Sequence, residues 1–231
     1  MKYVVFDIDG TLVESFEFDE QCFTEAVLEV AGKAIDTNWE AYENVTDSGL
    51  LMEARERSNI NIPLVEFEAQ VKKVFIDKIS SHIDLHGVRP VEGAIEIIET
   101  LNARDDIAVG LATGGWLETA RLKLVAAGFG SATGSGLGSS VSLDEMVITS
   151  SNDHYRRTEI MQLAVSRLSK GSNTKPTRAP MYFGDAPWDS KACLEIGYEF
   201  VLVGNRMEVN GLQIDHYLDQ PSVNQVLRRL K

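Results

Sequence analysis

Apolar residues along the chain fall into two alternating patterns. Short uninterrupted runs occur at 3–6 (YVVF), 107–112 (IAVGLA), 146–148 (MVI), 181–183 (MYF) and 200–203 (FVLV). They lack the polar alternation of a half-exposed strand, so they predict strands buried on both faces. Between them, apolar positions recur at spacings near three and four over 94–101, 117–127, 157–168, 189–196 and 223–230. That period predicts helices, with Gly128 stopping the second of them. Strands alternating with helices imply right-handed crossovers and an α/β fold, a parallel sheet with helices on both faces.

One long interval breaks the alternation. From 15 to 86 no buried-strand run occurs. Phe16, Cys22, Phe23, Ala26, Val27 and Val30 follow helical spacing up to Gly32, where a helix would stop. The pattern resumes at Trp39 and Tyr42, at 50–54 and at 65–79. The expected organisation is a core domain of residues 1–14 and 87–231 with an all-helical domain, 15–86, inserted into it. Residues 128–142 are rich in Gly and Ser and predict a mobile surface loop.

Composition narrows the function. At 231 residues the chain is long enough for a core domain carrying a smaller one. A net charge of −13 argues against the basic footprint that nucleic acid or an anionic membrane requires. An anionic ligand remains open, because a metal ion can set the local field. No apolar run reaches the ~20 residues that span a bilayer. The first residues read as a strand rather than a cleavable leader, so the expected location is the cytoplasm. Cys22 and Cys193 fall in helical segments far apart in sequence and read as reduced packing residues.

Candidate chemistry lies at the strand ends. In an open parallel sheet, ligands bind outside the carboxyl ends of the strands, near a topological switch point. The first strand ends in Asp7-Ile-Asp9-Gly10 and delivers two carboxylates to that edge. They need a cation or a shared proton to coexist, although Asp and Gly also suit a turn. The 107–112 strand ends in Thr113-Gly114-Gly115 before a helix, a hydroxyl with backbone N–H groups that suits an anion or an ordinary helix cap. The 181–183 strand ends in Gly184-Asp185-Ala-Pro-Trp-Asp189, a further pair of acids, of which Asp189 is also placed to cap the next helix. Acid, hydroxyl and acid at three strand ends are more specific together than any one alone. Hard carboxylate oxygens without a His or Cys cluster favour Mg²⁺ over Zn²⁺. His82, His86 and His154 lack clustered acids and read as surface residues. The acids at 92–99 read as a solvated helix face.

The stretches DIDGTL, LATGG and GDAPWD resemble the first, second and fourth motifs of the haloacid dehalogenase-like (HAD) hydrolase superfamily, in that order and across most of the chain. The 15–86 block resembles the α-helical cap of its phosphatase branch, phosphoglycolate phosphatase among them. The resemblance implies a Rossmann-like core and a role for each motif residue. Asp7 would be the nucleophile that forms an aspartyl-phosphate, and Asp9 the general acid/base. Mg²⁺ would be held by the Asp7 carboxylate, the Asp9 backbone carbonyl and Asp185, with Asp189 a ligand or close behind. Thr113 and the Gly114 N–H would hold the phosphoryl group, with Gly115 beside them. These roles meet elementary requirements. Phosphoryl transfer depends on an in-line nucleophile and on positive charge at the equatorial oxygens. Dividing hydrolysis into two steps lets one base serve both.

The third motif departs from the superfamily pattern, which usually has a lysine at a helix start. The region 151–160, SNDHYRRTEI, has none. Arg157 resembles the arginine variant seen in some relatives, and Arg156 is the competing candidate. Capped relatives close a polar turn over the leaving group. Thr46, Asp47 and Ser48 are expected to contact substrate in that way, or else Thr46 or Asp47 caps a helix. Dehalogenases of this superfamily lack the acid that stands here as Asp9, and its hexose-phosphate mutases usually have a histidine where this chain has Asp19. The reading is therefore an Mg²⁺-dependent phosphatase of a small phosphorylated metabolite, a monomer or homodimer with no nucleic-acid or membrane partner. The alternatives are a phosphosugar mutase or phosphotransferase of the same superfamily, and a HAD-fold binding module without turnover.

Overall fold

The computed structural model describes residues 1–130, 142–172 and 177–230, so most of the Gly- and Ser-rich 128–142 stretch lies outside the described residues. Among these residues six strands form one parallel sheet: β1 (Lys2–Phe6), β2 (Ile107–Ala112), β3 (Val147–Thr149), β4 (Met181–Gly184), β5 (Glu199–Val203) and β6 (Leu212–Ile214). Their order is β3-β2-β1-β4-β5-β6. β1 lies between β2 and β4, with Val5 opposite Gly110 on one side and Tyr182 on the other. The chain builds outward from β1 through β2 to β3, then returns to start β4 on the opposite side. That reversal is the topological switch point, and it opens a crevice at the carboxyl ends of β1, β2 and β4.

Among the described residues eight α-helices accompany the sheet: α1 (Phe16–Ala31), α2 (Asp47–Arg57), α3 (Leu64–His86), α4 (Ala94–Asn102), α5 (Leu117–Ala126), α6 (Arg157–Ser172), α7 (Pro187–Ile196) and α8 (Gln220–Arg229). Both faces of the sheet are covered, which is why its strands read as unbroken apolar runs. On one face Val4 and Phe6 pack with Ile98, Val109, Leu124 and Phe183. On the other, Tyr3 and Val5 pack with Ile160, Met161, Ala164 and Tyr182. α4 shows the helical counterpart: Ala94, Ile97, Ile98 and Leu101 are buried while Glu92 and Glu96 face solvent.

Helices α1, α2 and α3 share a separate cluster that includes Phe23, Val27, Leu51, Phe67, Val71 and Phe75. This cluster also takes in Trp116, from the turn after β2. Its ring lies against Phe23 and Phe75, at 6.2 and 6.0 Å between centroids, and its indole N–H donates to Ser48 Oγ at 3.1 Å. The helices are thereby anchored over the carboxyl edge of the sheet. Cys22 and Cys193 are buried and free. Among the described residues no helix is long and apolar enough to cross a membrane.

Three elements differ from the sequence expectation. Trp39–Ala41 form a single 3₁₀ turn and Tyr42 after it is extended, while the Glu53 carboxylate accepts the N–H groups of Glu43 and Asn44 and holds the following chain out of helical geometry. β6 was not anticipated: two apolar residues around the exposed Gln213 are too short to show a period. α7 begins at Pro187, two residues before its apolar pattern, since proline fits a first helical turn.

Candidate active site

β1 and β4 deliver Asp7 and Asp185 to the crevice side by side. The Asp7 N–H donates to Phe183 O at 2.8 Å, extending the ladder one residue past β1. The turn after Asp9 places Gly10 at φ 75°, and a Cβ there would lie 2.1 Å from Asp185 Oδ2. Only glycine lets the first loop pass so close to the second acid. Asp189 enters from the first turn of α7, where its Oδ2 accepts the Ala186 N–H at 3.3 Å. It caps its helix and faces the other acids at once. Oxygens of Asp7, Asp185 and Asp189, all buried, lie within 4.8 Å of one another.

Three buried carboxylates this close repel one another. Burial first, then the charge of Asp189, pushes Asp7 well above the usual carboxylate range. The same two causes lift Asp185 to about 7. Arg157 supplies countercharge: its Nη1 lies 2.7 Å from Asp189 Oδ1 and 3.7 Å from Asp7 Oδ1. Burial works against the guanidinium charge, but Asp189 and Asp7 outweigh it and raise the Arg157 pKa. Arg206 reaches Asp185 Oδ2 at 3.1 Å while lying 3.2 Å over the Phe16 ring. Asp7 Oδ1 and Arg157 Nε are buried without a hydrogen-bond partner among the described residues. The oxygen set suits a hard divalent cation such as Mg²⁺, and the guanidinium suits an anion.

The turn after β2 faces this cluster. The Thr113 N–H donates to Thr149 O at 3.0 Å, and the Thr113 hydroxyl accepts the Gly115 N–H at 3.0 Å. No hydrogen bond among the described residues uses the Gly114 N–H. A Cβ on Gly114 would lie 2.3 Å from Arg157 Nη2, so the guanidinium rests directly on that backbone. Thr113 Oγ1, the Gly114 N–H and Arg157 therefore lie on one surface whose groups suit an anion.

Asp9 stands apart from the other acids. Its Oδ1 accepts from Ser15 Oγ and from Lys123 Nζ, the latter at 2.5 Å, and the same ammonium lies 2.5 Å from Asp19 Oδ1. Lys123 is fully buried. Burial opposes its charge, but Asp19 and Asp9 outweigh that and raise its pKa, while burial lifts Asp19 to about 6. The sequence reading passed over this lysine. The signal lay in α5: Lys123 shares a face with Ala120, Leu124 and Ala127, and a lysine in an apolar stripe needs a buried acid. Lys123→Met keeps most of the volume but leaves Asp9 and Asp19 unpaired. It should destabilise the fold by about 3–5 kcal/mol, read from the urea midpoint. An unchanged midpoint would mean that the two acids find other partners.

The turn before α2 is fastened to the turn after β2. Thr46 Oγ1 accepts the Gly49 N–H at 3.1 Å, capping α2, and donates to Tyr155 O at 2.6 Å. The Asp47 N–H donates to Gly114 O and its Oδ2 accepts the Trp116 N–H, both at 2.8 Å. Ser48 donates its N–H to Ser151 Oγ at 2.9 Å and its hydroxyl to Glu68 Oε1 at 2.5 Å. Thr46 and Asp47 line the cavity that holds Asp7, Asp9, Thr113 and Arg157, whereas Ser48 does not.

The haloacid dehalogenase-like hydrolase family profile matches residues 1–197. The chain belongs to the haloacid dehalogenase-like hydrolases. No protein of curated function matches the sequence. Among solved structures, a hydrolase from Pseudomonas syringae is similar at a TM-score of 0.71 and 17% identity, over 100% of this chain and 99% of that one. CbbY from Rhodobacter sphaeroides, in complex with phosphate, is similar at 0.64 and 16%, over 95% and 96%. An archaeal β-phosphoglucomutase from Pyrococcus sp. strain ST 04 is similar at 0.57 and 14%, over 99% and 100%. At these identities the likeness is one of fold, shared by a hydrolase and a mutase alike.

Within this HAD-like hydrolase the two neighbouring arginines occupy different surroundings. Arg157 lines the cavity, and its Nη2 also donates to Val45 O at 3.0 Å. Arg156 is 45% exposed, and the nearest carboxylate to it is Glu195 at 4.0 Å. The first position of α6 turns one side chain inward and leaves its predecessor in solvent.

Proposed function

We propose that this hydrolase is an Mg²⁺-dependent phosphomonoesterase acting on a small phosphorylated metabolite. The reading is carried by one cavity lined by both Asp7 and Arg157, whose Oδ1 acceptor and Nε donor are buried without a hydrogen-bond partner among the described residues. A phosphate ester with a divalent cation supplies what both lack. Asp7, Asp185 and the Asp9 backbone carbonyl, with Asp189 behind them, would hold Mg²⁺, which when bound offsets the repulsion between the Asp7 carboxylate and the phosphate.

Thr113, the Gly114 N–H and Arg157 hold the phosphoryl oxygens and stabilise the charge that spreads over them. An Asp7 carboxylate oxygen attacks phosphorus, the bond from phosphorus to the leaving oxygen breaks, and Asp9 gives that oxygen a proton. Asp9 then takes a proton from the water that attacks the aspartyl-phosphate, which releases phosphate and restores Asp7. Because Ser15 and Lys123 hold Asp9 Oδ1, the proton travels through Oδ2, which lies beside Gly115.

The folded protein with Mg²⁺ should release phosphate from para-nitrophenyl phosphate, and EDTA should abolish that release. Phosphoryl transfer between sugar hydroxyls without phosphate release would assign mutase chemistry instead. No turnover of this ester or of a panel of phosphorylated metabolites would overturn the enzymatic reading.

A further inference from the structure

The cavity has two unlike walls. Its sheet side carries the acids and the surface suited to an anion described above. The facing wall, built by α1, presents Asp19 and Glu20 among the rings of Phe23 and Trp39, and Asp47, the first residue of α2, stands where that wall meets the turn after β2. Among the described residues lining the cavity only Arg157 is basic, and it sits at the phosphoryl end, tied to Asp189. Lys123 lies behind the facing wall with both contacts on Asp9 and Asp19, so it offsets part of the acidic charge and offers none to a ligand. Arg206 is engaged by Asp185 and Phe16 and does not line the cavity.

Two of these acids are held by one oxygen each. Glu20 Oε2 accepts the Trp39 indole N–H at 2.8 Å, and Asp47 Oδ2 accepts the Trp116 N–H at 2.8 Å. Each carboxyl is thereby oriented, but burial, then the charge of Asp19, raises the Asp47 pKa well above the usual carboxylate range, so Asp47 offers a ligand a hydrogen-bonding oxygen more than a charge. Aromatic faces beside fixed carboxylates are the surroundings that a cationic nitrogen prefers. An anionic group there would meet the like charge of Asp19 and Glu20 in a partly desolvated space, with no free cation among the described lining residues to answer it. Asp7 and Arg157, whose Oδ1 and Nε are buried without a hydrogen-bond partner among the described residues, both line this cavity, which marks it as a ligand site rather than an acidic surface. The cavity volume of about 90 Å³ suits a phosphoryl group and a short leaving group.

We propose that the substrate's leaving alcohol carries a cationic nitrogen, making it a short amino-alcohol phosphate rather than a phosphorylated acid or a bisphosphate. The proposal rests on the phosphatase reading for its chemistry, but its charge preference concerns binding and can be measured without turnover.

Three esters of matched size test it: O-phosphoethanolamine, 2-hydroxyethyl phosphate and 2-phosphoglycolate, whose leaving groups are cationic, neutral and anionic. With Mg²⁺, kcat/KM should fall in that order, by on the order of 100-fold from first to last, the scale of one unfavourable charge contact. Calorimetric affinities for the Asp7→Asn protein with Mg²⁺ should follow the same order. Glu20→Gln, which can still accept the Trp39 bond, and the double variant Asp19→Asn/Glu20→Gln should each shrink the preference, the double by about tenfold or more. If para-nitrophenyl phosphate is not hydrolysed but the binding order holds, the phosphatase reading fails and charge selection stands. Phosphoglycolate bound or turned over as well as phosphoethanolamine would overturn the proposal, as would an order unaltered in both variants.

Discussion

Asp7→Asn should lower phosphatase turnover by roughly 10⁴-fold or more, the scale of removing a catalytic nucleophile, while the fold is retained. The amide keeps the shape of the carboxyl but neither its charge nor its nucleophilicity. In the free protein the Asp7 carboxyl is held well above its ordinary range by burial, then by Asp189, with Arg157 only partly compensating. A raised carboxyl pKa means that the ionised form is disfavoured in the folded state, so its charge opposes folding at neutral pH. Removing it should leave the metal-free melting temperature unchanged or higher. Phosphate release and thermal denaturation, measured on the same preparation, check both halves. Turnover like that of the parent protein would overturn the covalent mechanism, and a lower melting temperature would mean that the charge supports the fold.

Arg157→Ala should have the opposite signature, with losses in both activity and stability. Its guanidinium bonds Asp189 at 2.7 Å, lies 3.7 Å from Asp7 and holds Val45 O at 3.0 Å, with only 11% of the side chain exposed. Its removal leaves two buried carboxylates without countercharge, a loss of about 3–5 kcal/mol. It also removes the donor that the proposed mechanism assigns to the phosphoryl oxygens, which should lower kcat by on the order of 10²–10³-fold. Arg156→Ala is the control. That side chain is 45% exposed with Glu195 4.0 Å away, so stability should change by no more than about 0.5 kcal/mol. Urea denaturation and steady-state kinetics on the pair decide the matter. A crippled Arg156 variant beside a normal Arg157 variant would reverse the assignment.

Local spacing carries far along this chain. YVVF has no polar break because β1 is covered on both faces, so the acids that follow it must emerge at the edge of the sheet. The same reasoning places Thr113 after β2 and Asp185 after β4, and strand–helix alternation puts all three ends on one edge. Arg157 and Arg156 could not be told apart in this way. Both stand at the start of a helical pattern, and only the packing of α6 shows which one meets Asp189. Lys123 and Arg206 stayed hidden for the same reason: each is an ordinary cation in its own segment until Asp9, Asp19 and Asp185 arrive from elsewhere. The polar turn at 46–48 was visible as a break in periodicity, yet nothing local shows that its Asp47 backbone bonds Gly114.

The sequence by itself determined the parallel sheet, most of the helices and the strand-end acids, because these follow from periodicity and from the rule that crossovers bring like ends of strands together. Only the tertiary structure decided which charges neutralise which, and that one wall of the cavity is acidic and aromatic. A buried ion pair depends on distances of a few ångströms between atoms 32 residues apart, as for Arg157 and Asp189, or 114 apart, as for Lys123 and Asp9. Local periodicity says which way a side chain faces, and the packing of distant segments says what it meets there.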